Sequence, residues 1–159
     1  VRELITQGDR NMVDKNYAKA LDQYFVAQQA EGLSGQSMMR LSGSLIAVGR
    51  HGDGIYQLKY YVEGGGRIYQ EGFGFTQDEN LEKRLADQVA LNPFDTDLLI
   101  SKAVYHYSRG ETSHASEALV SLRRLNPYHS CLKPLEKAVE KAGSKDRADD
   151  PDAGNQGDP

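Results

Sequence analysis

The chain has 159 residues, is 38 % hydrophobic, lacks Trp and carries a net charge of −4, which suits one domain with a modest core. Its single cysteine, Cys131, excludes an intrachain disulfide, and no apolar run approaches the roughly 20 residues of a membrane span. Five aspartates against Lys145 and Arg147 in residues 143–159 carry most of the net charge, leaving a near-neutral body without the basic footprint of nucleic-acid binding.

The chain opens on Val1 with no charged-then-apolar leader, as expected of a segment cut from a longer chain or one whose leader has been removed. Leu4, Ile5, Gly8, Met12 and Val13 have helical spacing. Asp14–Asn16 form a turn. Tyr17, Ala20, Leu21, Tyr24, Phe25, Ala27 and Gln28 then make a second helix, stopped by Gly32 and Ser34-Gly35. Residues 36–63 read as a degraded second pair. Met38, Met39, Leu41, Leu45, Ile46 and Val48 give its first helix, followed by the Gly-rich turn Gly49–Gly54. Ile55, Leu58, Tyr61 and Val62 fit a second helix, expected because the first needs a partner for its apolar face. The alternative is a β-hairpin, since Tyr56, Tyr60 and Tyr61 suit a strand and Glu63–Gly66 suits a hairpin turn into Arg67–Tyr69.

Gly64–Thr76 contains five glycines with Phe73 and Phe75, a density of Gly that prevents a stable helix. Asp78–Leu91 is helical again through Leu81, Leu85, Ala86 and Val89. Residues 96–125 form the second clear pair, opened by Thr96 or Asp95 as the cap. Leu98, Leu99, Ala103 and Tyr107 precede the turn Arg109–Thr112, after which Ser113 caps Ala115, Ala118, Leu119 and Leu122. Ser130–Ala142 is a last amphipathic helix with Lys133, Lys137 and Lys141 on its wet face. Gly143–Pro159, rich in Asp, Gly and Pro, is expected to be a disordered acidic tail.

Two stretches share one template. Gly8, Ala20, Tyr24 and Ala27 have the same spacing as Ala103, Ala115, Leu119 and Leu122. Leu91-Asn92-Pro93 recurs 34 residues later as Leu125-Asn126-Pro127. Small residues at fixed spacing let two antiparallel helices approach closely, and the large ones fill the gap between them. The pattern resembles the tetratricopeptide repeat (TPR), a helix-turn-helix unit of about 34 residues. It departs from that pattern at Leu4, at Leu122 where a small Ala is usual, and in the Gly64–Thr76 insertion. The resemblance implies an all-α fold: a short TPR-like antiparallel helix-pair repeat, an α-solenoid, over residues 1–142, interrupted by the Gly-rich aromatic segment 64–76.

In that family the first helix of each pair lines a concave groove that holds a partner segment. Carried over, the groove consists of Arg2, Ile5, Asp9 and Met12, then Arg40, Ser44 and Ala47, then Asp97, Ile100, Val104 and Tyr107. The Lys and Asn that clamp a carboxylate in TPR co-chaperones are replaced here by Ile5 and Asp9. The implied function is non-catalytic: a protein or peptide partner, possibly a larger assembly, held on this face as a scaffold does, with no cofactor and no metal. Phe73 and Phe75, with Tyr56, Tyr60, Tyr61 and Tyr69, are either a further interaction surface or a plug that folds back on the helices. The competing function is a small-ligand or enzymatic site around the Gly-rich turn at His51 and the aromatic segment, which requires a closed polar pocket near His51 or Tyr69. His106 and His114 fall on different helices with no evident carboxylate or cysteine partner at zinc spacing. Cys131, with only His129 as a candidate base, reads as a small apolar filler.

Overall fold

A computed structural model describes residues 1–32 and 35–149. Among these it contains only helices: α1 (Arg2–Val13), α2 (Tyr17–Glu31), α3 (Ser37–Ala47), α4 (His51–Glu63), a short 3-10 turn at Gln70–Phe73, α5 (Glu79–Leu91), α6 (Thr96–Ser108), α7 (Thr112–Leu125) and α8 (Leu132–Asp149). Ser34, expected to help stop α2, lies outside the described residues, as do Asp150, Asp152 and Asp158 of the acidic tail.

The helices pack as α1 on α2, α3 on α4 and α6 on α7, with α2 meeting α3, α4 meeting α6, and α8 closing against α7. One contiguous core runs through them, from Met12, Tyr24, Met38 and Met39 to Leu122, Leu132 and Leu135. Helix α5 joins no pair and packs principally on α6.

Several expected boundaries move. The Gly49–Gly54 segment is a turn only as far as Arg50, and residues 55–63 are helix, not hairpin. Gly49 takes the left-handed conformation (φ 88°) that ends α3, and α4 begins at His51. Gly54 is there for packing: a Cβ would lie 3.0 Å from the Ser42 carbonyl oxygen, and the Ser42 hydroxyl donates 2.8 Å to the Gly54 carbonyl. Close helix approach, not chain reversal, is what this glycine allows. Helix α7 starts at Thr112 with Glu111 at the cap position, so Ser113 is not the cap. Helix α8 continues through Asp149, into the segment expected to be disordered from Gly143.

The caps Asp78 and Asp95 behave as their residue types dictate. Asp95 accepts from the Leu98 amide at 3.1 Å, and Asp78 accepts from the amides of Asn80 and Leu81. Asp78 also takes the Tyr17 hydroxyl at 2.5 Å. Burial works to raise its carboxyl, but Tyr17, the two amides and Lys15 outweigh burial and hold it below the usual carboxylate range. The start of α5 is thereby pinned to the start of α2.

Candidate functional site

The face formed by α1, α3 and α6 is covered by the chain's own Gly-rich segment. Phe73 is 0 % exposed, and its carbonyl oxygen lies so close to Gly43 of α3 that a Cβ there would overlap it. Gly74, left-handed at φ 77°, sits where a side chain would meet Tyr24, Met12 and Arg40 at 3.4–3.9 Å. Phe75 packs edge-on against Tyr105 of α6, with ring centroids 5.5 Å apart. The Tyr105 hydroxyl donates to the Asp78 carbonyl at 3.3 Å, at the head of α5. Arg84 of α5 donates to the Ala47 carbonyl at the end of α3. The Gly-rich segment therefore folds back on the helices, with Phe73 and Phe75 buried.

Most residues of the groove expected from the resemblance lie inside the fold. Ile5, Met12, Ser44, Ile100, Val104 and Tyr107 are all buried, and so is Ala47. Asp9 and Arg40 are half-buried and committed to each other, Arg40 Nε donating 2.8 Å to Asp9 Oδ1, which also accepts from the Tyr24 hydroxyl at 2.6 Å. These side chains hold the chain's own residues together and have little surface left to offer a partner. The reason is physical. A stripe of apolar residues on a helix must be covered, and here the Gln70–Phe73 turn packs on α3 and α6, and α5 on α6.

His51 is buried, and neighbouring side chains take both of its ring nitrogens. Its Nε2 donates to Gln88 Oε1 at 3.2 Å, an oxygen that can only accept, so Nδ1 accepts from the Ser101 hydroxyl at 3.0 Å. Burial lowers the imidazole's pKa and keeps it neutral. Both ring nitrogens are thus used to tie α4 to α5 and α6. Two surface hollows lie elsewhere. One of about 510 Å³ lies between α7 and α8, lined by residues such as Leu119, Val139 and Gly143. One of about 420 Å³ lies along α1 at Arg2, Thr6 and Arg10. Cys131 is buried, which pushes its thiol up to about 12. His129 Nδ1 accepts from the Cys131 amide at 3.1 Å and is not available to the sulfur as a base.

His106 does have a carboxylate partner, contrary to the sequence reading. Its Nδ1 lies 3.4 Å from Glu111 Oε1 across the α6–α7 turn. Glu82 of α5 approaches the same point, so that one ligand atom from each of Glu82, His106 and Glu111 lies within 4.8 Å of the others. The His114 ring faces that of His106, with centroids 4.9 Å apart. Burial lowers the His106 pKa against the opposing pull of Glu111. The available signal was the spacing His106, Glu111, His114 across a tight turn whose Gly110 is left-handed (φ 75°).

The surface has its own repeated feature. Leu91 and Phe94 are 81 % and 79 % exposed, and Leu125 and Tyr128 are 39 % and 93 % exposed. They flank the two Asn-Pro turns, which share one backbone form: Asn92 at φ −133°, ψ 65° and Asn126 at φ −148°, ψ 81°. In each, the Asn amide donates to the carbonyl four residues back, and its carbonyl accepts from the amide three residues on. One turn leads into α6 and the other leaves α7, and these helices are joined by a short turn and run antiparallel. Both turns therefore stand at one end of that pair. Compared with known proteins, the chain matches no family model, no curated protein and no solved structure.

Proposed function

We propose that the chain is a non-catalytic protein-interaction module built on a TPR-like helix-pair repeat, and that it meets its partner at the apolar end of α6–α7 and not on the inner face. The three helix pairs and the 34-residue echo of Leu-Asn-Pro support the repeat. One observation carries the partner surface: Leu91, Phe94, Leu125 and Tyr128 stand exposed at equivalent places of two turns with the same backbone. An exposed Phe forgoes about 1.5–3 kcal/mol of burial, and clustered aromatics are the residues that dominate protein interfaces. The partner is a protein chain offering apolar pockets to the two aromatic rings.

The test places a photo-crosslinking phenylalanine at position 94, at position 128 and, as control, at Tyr56, an exposed aromatic on α4. Positions 94 and 128 are expected to yield an adduct of the same mass in source cells, absent from position 56 and suppressed by excess parent chain but not by a Phe94→Ser/Tyr128→Ser chain. An adduct at twice the chain's mass makes the partner a second copy. No adduct at 94 and 128, or equal yield at 56, overturns the proposal.

A further inference from the structure

We propose that Glu82, His106 and Glu111 form a binding site for one divalent transition-metal ion of zinc-like chemistry, which staples α5 to the α6–α7 turn. This inference is independent of the partner surface. The three residues come from three places in the chain: the first turn of α5, the last turn of α6 and the head of α7. Their ligand atoms converge to within 4.8 Å. His106 is 4 % exposed and held in place by its surroundings, whereas Glu82 and Glu111 are half-buried. A zinc ion bound at about 2.0–2.2 Å by N and O ligands needs them roughly 3.3 Å apart. The two glutamates, each with three rotatable bonds, can close that difference around a fixed imidazole.

The charges favour a cation. Among the described residues, neither Glu82 nor Glu111 is in an ion pair with a lysine or arginine. Two carboxylates thus converge on one buried imidazole. One imidazole and two carboxylates suit a borderline ion of the zinc, cobalt or manganese kind, and the half-buried side leaves a place for water. An ion held there binds the folded chain and not the unfolded one, so it stabilises the fold and ties the covering helix down.

The tag-free chain of 159 residues, stripped with a chelator, is titrated with Zn²⁺ by calorimetry and with Co²⁺ by visible absorption. Tight binding of one ion is expected, with Co²⁺ d–d bands free of a sulfur charge-transfer band and a rise in Tm on adding Zn²⁺. Glu82→Gln and Glu111→Gln, nearly isosteric and half-buried, are expected to keep the helical circular dichroism and weaken binding about tenfold or more each, roughly 1.4 kcal/mol per tenfold. His114→Ala is expected to keep one-ion binding. Absence of binding in the folded parent overturns the proposal. So does binding that survives both glutamine variants or is lost only in His114→Ala, which assigns it to the facing His106 and His114 rings.

Discussion

Replacing Phe73 with alanine is expected to cost the fold about 3–5 kcal/mol, the range for emptying a buried aromatic site. Phe73 is 0 % exposed, in a 3-10 turn between α3 and α6, and belongs to the same core as Met39, Tyr105 and Ile100. Its loss opens a cavity that the surrounding helices cannot collapse into, because the backbone of the turn is itself jammed against Gly43. For a chain of this size that is a fall in Tm of about 6–20 °C. The control is Phe94→Ala, the same change at a site 79 % exposed, which should move stability by no more than about 0.5 kcal/mol. Urea unfolding of both variants checks this. Equal, small effects would mean that the Gly-rich segment lies on the helices without being part of their core.

Gly43→Ala should destabilise the fold although it improves the helix. Alanine in a helix interior is favoured over glycine by about 1 kcal/mol. Against that, the new Cβ at Gly43 overlaps the Phe73 carbonyl oxygen, a backbone atom that no rotamer change can remove. Overpacking of this kind costs about 1–3 kcal/mol, occasionally more, so the clash wins. Gly143→Ala in α8 has the opposite sign, since its Cβ meets only the Thr112 hydroxyl at 3.8 Å, an ordinary contact, and the propensity gain stands. The urea midpoint is expected to fall for the first and rise for the second. A rise for both would show that Gly43 has room and that the segment does not press on α3.

The helix pairs were legible because their cause is local. Helical spacing of apolar residues placed α1 with α2, α3 with α4, and α6 with α7, and the acidic caps at Asp78 and Asp95 needed only their own residue types. What covers an apolar stripe is not local. Met12, Ile100 and Val104 have the same spacing whether they face a partner or the chain's own core, and the contact between Phe73 and Gly43 joins residues 30 apart, with a whole helix, α4, between them. Gly8 and Gly43 look alike in the 35-residue spacing, yet Gly8 makes room for the Tyr24 ring of its own pair and Gly43 for the inserted segment. Gly54 was misread for a related reason: a glycine that lets two helices touch looks, in one dimension, like a glycine that turns the chain. The Glu82–His106–Glu111 group needed α5 to be placed, and α5 belongs to no repeated pair.

Native-state hydrogen exchange tests the central claim, that residues 64–91 are an integral cover of the inner face, most directly. The amides of Leu85 in α5 are expected to exchange with the same free energy as those of Ile46 in α3 and Val104 in α6, all through global unfolding. Exchange at Leu85 through an opening several kcal/mol cheaper, with Ile46 and Val104 still fully protected, would contradict it. The covering helix would then lift from an otherwise folded chain, and the inner face would be the one a partner reaches.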